Sequence, residues 1–192
     1  MPPLTKDVIK FGHFIVTSQV FHLSPLSFAL VNIKPLLPGH VLVSPRRIVP
    51  RFNDLSIDEV QDLFLTVQRV SRMVERVFKA TSLNIAIQDG VDAGQSVPHV
   101  HAHIIPRKRA DLEGFGGTDA IYSMMEGEDG DLDRHFNERS GSDPSTTTNG
   151  QGRGKFPAVD ADESRTPRNE EEMEREAQWL AEEMAKDEKE YG

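Results

Sequence analysis

Apolar residues along this chain recur at two different spacings, and the change of spacing divides it into elements. Residues 14–17, 20–22, 27–32 and 40–44 are short runs rich in Val, Phe and Leu, punctuated by Pro25 and by Pro38-Gly39. Such runs between turn residues predict β-strands. Residues 83–88 and 97–105 predict two more, joined by the turn-rich loop Asp89-Gly90-Val91-Asp92-Ala93-Gly94-Gln95. Between the two groups the period changes. Val60, Leu63, Phe64, Val67, Val70, Val74, Val77 and Phe78 fall in steps of three and four, which places them along one side of a helix. Ser56 and Glu59 have the spacing of a capping box at its start. The stripe is read as core packing with no ligand role. Together these elements predict an α+β chain: an antiparallel sheet of about five strands with one long helix packed on a face.

Beyond Arg109 the pattern weakens. Residues 137–155 contain no apolar side chain and are rich in Ser, Thr and Gly, so they cannot bury anything and are expected to be disordered. Periodicity returns at Asn169. Glu170, Glu171 and Glu172 suit a helix N-terminus, and Met173, Ala177, Leu180 and Met184 form a narrow apolar stripe. This predicts a C-terminal helix, docked on the body or kept for a partner. The expected organisation is a folded unit over 1–128, a polar linker over 129–168 and a helix over 169–192.

Composition narrows the function classes. A chain of 192 residues suits one domain with an appendage. The absence of cysteine excludes a disulfide framework and a thiol nucleophile. No apolar run approaches the roughly 18 residues of a membrane span, and the first residues lack a secretory pattern, so a soluble intracellular protein is expected. The net charge of −9 argues against general nucleic-acid binding. That charge lies mainly in the tail, where residues 138–192 carry 15 Asp and Glu against 8 Lys and Arg.

The chemistry concentrates in His99-Val100-His101-Ala102-His103. The chain has seven histidines, and three of them fall within these five residues. On a strand, side chains two apart share a face, so the imidazoles would point one way while Val100, Ala102 and Ile104 enter the core. A single strand histidine is most often a surface group or a hydrogen-bonded core group. Three in a row repel one another when protonated, which disfavours an accidental stack. Two chemistries fit. His-x-His on a strand can bind zinc, but further ligands would be needed, no cysteine supplies them, and His40 is the one attractive distant candidate. The other chemistry is phosphoryl transfer.

The triad sits in a longer string: Gln88-Asp89-Gly90, then Gly94-Gln95-Ser96-Val97, then His99 through Ile104-Ile105-Pro106-Arg107. Upstream stand Ser27-Phe28-Ala29-Leu30-Val31-Asn32, Lys34-Pro35, Pro38-Gly39-His40-Val41-Leu42-Val43 and Asp54-Leu55-Ser56-Ile57-Asp58-Glu59-Val60. This string resembles the histidine-triad (HIT) family, and within it the fragile-histidine-triad (Fhit-like) branch of dinucleoside polyphosphate hydrolases. The resemblance covers about residues 11–109 and returns at Tyr122 and over 168–173.

The resemblance implies a HIT-like fold, with 1–128 as the nucleotide-binding catalytic domain. It implies hydrolysis of diadenosine triphosphate to AMP and ADP through a covalent nucleotidyl-histidine. His101 would be the nucleophile. Asn32, Gln88, Gly94, Gln95, Ser96, Val97 and His103 would bind substrate, with Asn32 at the ribose and His103 donating to a phosphate oxygen. His40 and His99 would support them, His99 holding the tautomer of a neighbour together with His40. His13, aligned through a one-residue gap, and Tyr122, in a lid-like loop, match further family positions. His22 and His135 are read as bystanders, and Arg107, Lys108 and Arg109 as solvated charges. No tightly bound cofactor or metal is implied, although Mg²⁺ or Mn²⁺ would accompany the polyphosphate. A two-fold homodimer with sheets joined edge to edge is implied, in the cytoplasm and with the nucleus as a second location, with no nucleic-acid or membrane partner. The chain departs from the pattern at Pro98, where the catalytic strand is expected to begin, and in the long 137–155 insert. Alternative readings are a nucleoside phosphoramidase, or a nucleotide-bound signalling module using Tyr122 or the tail.

Overall fold

The computed structural model describes residues 4–127, 131–140 and 167–191. A short hairpin, β1 (Lys10–Phe11) and β2 (Phe14–Ile15), comes first. Then follow β3 (Val20–Leu23), β4 (Ser27–Val31), β5 (Val41–Pro45), helix α1 (Ile57–Phe78), β6 (Ser82–Ile87) and β7 (Ala102–Arg107). Strands β3 to β7 form one antiparallel sheet in the order β3-β4-β5-β7-β6. This is the five-stranded α+β arrangement expected from the pattern. The predicted strand over 14–17 shrinks to two residues, because it pairs only with β1 and stays out of the main sheet.

Helix α1 begins as its sequence dictates. Ser56 accepts from the Glu59 amide at 3.2 Å, and the Glu59 carboxylate accepts from the Ser56 amide at 2.8 Å. Its buried side chains include Leu63, Val67, Val70, Met73 and Val74, which share one core with Val41, Val43, Ala102 and Ile104 of the sheet. Each fully buried aliphatic side chain contributes about 1.5–3 kcal/mol of transfer free energy. Phe64, assigned to the core by its spacing, is 45% exposed and touches Phe52 edge-on. It lies at the margin of the stripe.

Three further helices complete the described residues: α2 (Ala120–Glu126), α3 (Leu132–Ser140) and α4 (Glu170–Tyr191). The predicted stripe Met173, Ala177, Leu180 and Met184 of α4 is buried in the main core. Arg76 of α1 anchors this helix by donating to Glu183 and Asp187 at 2.7 Å, and Phe78 meets Trp179 edge-on. Helix α2 covers the opposite face of β7, where Ile121, Met124 and Met125 pack with Leu36, Ile105 and Leu112. Helix α3 stands inside the stretch read as a linker. Its residues Leu132 and Phe136, one turn apart, are buried in the main core, which is reason enough for order in so polar a segment. Residues 141–166, the bulk of the expected disorder, lie outside the described residues. None of the described helices is long and apolar enough to cross a membrane.

Candidate active site

The catalytic run does not begin as a strand. Pro98 has no amide hydrogen to give, the His99 amide turns back to the Val97 carbonyl at 2.8 Å, and the Val100 amide bonds to Val49. Strand β7 starts only at Ala102, so of the three histidines His103 alone is in the ladder, opposite Leu42. The expected single strand from 97 is thus corrected to a turn followed by a strand. All three rings are nevertheless buried, as is His40, which precedes β5.

Each ring's tautomer follows from its partners, since a backbone amide can only donate and a carbonyl only accept. The Gly12 amide donates to His99 Nδ1 at 3.0 Å, so the proton of His99 sits on Nε2, which donates to the Pro45 carbonyl at 2.8 Å. His101 Nδ1 donates to the His99 carbonyl at 2.8 Å, which leaves His101 Nε2 as an unprotonated lone pair. The Leu36 amide donates to His40 Nδ1 at 3.2 Å, so His40 Nε2 carries its proton and donates to His103 Nδ1 at 2.9 Å. The proton of His103 therefore sits on Nε2. That atom is buried and has no hydrogen-bond partner among the described residues. The His101 and His103 rings lie 4.8 Å apart, so a bare lone pair and an unused N–H donor stand side by side.

Burial keeps the cluster neutral. It lowers His99 and His101 to about 4 and His40 to about 3, where the charges of His101 and Arg168 add to the effect. His103 is held well below the usual histidine range by burial and by its neighbours His101 and His40. At neutral pH His101 is therefore an imidazole and can act as a nucleophile.

The supporting roles divide between His40 and His99. His40 fixes the tautomer of His103. His99 orients His101 through its backbone carbonyl, while its own ring ties Gly12 to Pro45. With both nitrogens committed, His99 has no lone pair for a zinc ion. The hairpin residue Phe11, outside the predicted site, walls the cluster. Its ring stacks on His99 at 5.6 Å and meets His101 edge-on at 5.0 Å. Gly12 is needed beside it, since its φ is +59° and a Cβ there would lie 2.8 Å from Val97 Cγ1.

The remaining predicted positions differ in how far their side chains are committed, and of them Asn32 touches the histidines directly. Asn32 is buried with its amide nitrogen 3.3 Å from His40 Nε2, and its oxygen accepts from the Lys34 amide. Gln95 braces the loop that leads to the histidines. Its oxygen accepts from the Gly90 amide and its nitrogen donates to the Pro50 carbonyl, both at 2.8 Å. Val97 is fully buried core. A Cβ on Gly94 would fall 2.3 Å from Gln88 Nε2, so that glycine makes room for the Gln88 side chain. Gln88 itself reaches toward the Met125 carbonyl of α2 at 3.5 Å. The Ser96 hydroxyl accepts from the Leu132 amide at 3.1 Å. His13 is exposed against Phe14, and Tyr122 is 55% exposed on α2. Arg107, expected as a solvated charge, is buried instead. It donates to both oxygens of Asp111, to Asn84 and to the Thr118 carbonyl, pinning the segment that leads to α2. Asp111 is held below its usual range by that guanidinium.

Comparison with known proteins places this geometry. A family model for the HIT domain matches residues 15–110. A Schizosaccharomyces pombe protein named asymmetrical bis(5'-nucleosyl)-tetraphosphatase is 51% identical over 175 residues, covering 90% of this chain and 92% of that one. A Dictyostelium discoideum bis(5'-adenosyl)-triphosphatase is 53% identical over 119 residues, covering 62% of this chain and 78% of that one. Among solved structures, the Caenorhabditis elegans NitFhit protein matches with a TM-score of 0.60 and 32% identity, over 91% of this chain and 30% of that one.

Proposed function

The chain belongs to the HIT family, and from that membership and the histidine cluster we propose that it hydrolyses dinucleoside polyphosphates, with diadenosine triphosphate cleaved to AMP and ADP. The observation that carries the reading is the unprotonated Nε2 of His101 beside the protonated Nε2 of His103. His101 Nε2 attacks the α-phosphorus, the bond from that phosphorus to the bridging oxygen breaks, and ADP leaves with the electron pair. His103 Nε2–H stabilises the phosphoryl oxygens as charge develops. Water then displaces the AMP from His101 and restores the free imidazole. Mg²⁺ or Mn²⁺ accompanies the polyphosphate and offsets its charge. The nucleoside phosphoramidase alternative shares this chemistry and differs in leaving group.

A second substrate is favoured by one observation. The relative that matches nearly the whole chain, tail included, is named as a tetraphosphatase, while the Dictyostelium triphosphatase matches a shorter part. On that reading diadenosine tetraphosphate yields AMP and ATP. The homodimer is proposed to join along β6, an edge strand whose Ile85 is 49% exposed. The cytoplasm is the proposed location.

The experiment incubates purified protein with diadenosine tri- and tetraphosphate and an AMP-lysine phosphoramidate, and follows the products by chromatography. The reading expects AMP from a dinucleotide at a rate well above the phosphoramidate, with His101→Asn slower by on the order of 10⁴-fold or more. Failure of the wild type to release AMP from either dinucleotide would sink it, as would full activity in His101→Asn.

A further inference from the structure

Helix α3 touches the loop before the histidines and the hairpin that packs on them. Leu132 is its first residue, and the Leu132 amide donates to Ser96 Oγ at 3.1 Å. A hydroxyl that accepts one hydrogen bond turns its own hydrogen elsewhere, so this amide sets the direction in which Ser96 donates. One turn later the buried Phe136 ring lies 4.8 Å from Phe14 and 6.0 Å from Phe11. Phe11 is the ring set edge-on against His101. The far end of the helix is held as well. Arg139 donates to the Gln19 amide oxygen at 2.9 and 3.0 Å, in the amide orientation that satisfies both groups, and approaches Met173 Sδ of α4 at 3.8 Å. A segment so polar would not be expected to order itself on the active centre, yet it spans from the loop before the histidines to the C-terminal helix.

We propose that α3 is a positioning element of the hydrolase, in which the Leu132 amide aims the Ser96 hydroxyl at the phosphoryl group and Phe136 holds Phe11 against His101. The proposal rests on the hydrolase reading above. Ser96 touches substrate; Leu132 and Phe136 act through Ser96 and Phe11.

Leu132 allows a clean separation, because proline is tolerated at the first position of a helix and lacks only the amide hydrogen there. Leu132→Pro removes the donor to Ser96, whereas Leu132→Ala also truncates the side chain but keeps the donor. On diadenosine triphosphate, kcat/KM of Leu132→Pro should fall about five- to tenfold below that of Leu132→Ala, the size of one hydrogen bond, with the loss in kcat and KM nearly unchanged. In a Ser96→Ala background the two substitutions should become equal. A fold defect would separate them in both backgrounds and would overturn the proposal; so would equal rates with Ser96 present. Phe136→Leu supplies the second arm. Water admitted beside Phe11 would raise the His101 pKa toward its ordinary value, and the acid limb of the rate profile should move up by about one pH unit. An unmoved limb overturns the role of Phe136. A wild type that fails to cleave the dinucleotide removes the hydrolase reading and this inference together, whereas turnover with indistinguishable variants removes this inference alone.

Discussion

Lowering the pH from 8 to 5 should destabilise this protein steeply, and histidines alone should be responsible. His99 and His101 are held near 4 and His40 near 3 by burial, against about 6.5 in an unfolded chain. Below pH 6.5 the unfolded chain binds protons that the folded one refuses, so the stability these groups allow is complete above 6.5 and is lost as the pH falls. Between pH 8 and 5 His99, His101 and His40 each remove about 2 kcal/mol, on the order of 6 kcal/mol together and more with His103, comparable with the whole stability of a typical domain. Carboxylates held low by ion pairs, Glu59 near 2 beside Arg47 and Asp89 beside Arg51, begin to matter only below about pH 5. Asp133, raised by burial, opposes the trend as one group against four. Urea unfolding at 25 °C, repeated at pH 8, 7, 6 and 5, gives proton uptake from the slope of stability against pH. The structure expects uptake of about three protons or more at pH 5, since His103 is held low as well. An uptake below one would refute the neutral, sealed cluster. Activity per folded molecule should stay flat over the same range, because His101 keeps its lone pair.

Other substitutions test the scaffold. Ser56→Ala breaks the capping box and should cost about 1 kcal/mol, seen as a Tm lower by roughly 2–4 °C in calorimetry with kcat unchanged. Gly12→Ala should be damaging twice over. Its positive φ and its approach to Val97 should cost about 1–3 kcal/mol, and displacing the amide from His99 Nδ1 should lower kcat at least about tenfold; wild-type kinetics would show that the hairpin does not set the histidine tautomers. Arg76→Met should loosen α4, and amide exchange in residues 170–191 should speed up while α1 stays protected.

The parts of the fold legible in the sequence were those built by local periodicity. The long stripe of α1, its capping box and the alternating strands declare themselves over many residues, and a wrong neighbour could not hide them. The string from Gln88 to Arg107 likewise carried His101 and His103 into one place. The tertiary partners were not legible. Nothing in the spacing of His99-Val100-His101 says that Val100 bonds to Val49, which stops the strand short of Ala102. Nor does the spacing say that Gly90 and Pro50 hold both ends of the Gln95 amide. Arg107 reads as solvated because Asn84 and Asp111 are known as its partners only once the chain has folded. Helix α3 was hidden by its brevity, since Leu132 and Phe136 are too few to form a stripe. A pair of apolar residues four apart in a polar stretch was the one available signal.

The claim on which all of this depends is that His101 attacks phosphorus. Mixing the protein with diadenosine triphosphate, quenching within the first turnover and mapping the peptides by mass spectrometry tests it directly. The account predicts one AMP group on the peptide that contains His101, formed as ADP is released and lost as AMP appears. AMP release with no adduct at any quench time, or an adduct on another residue, would contradict it.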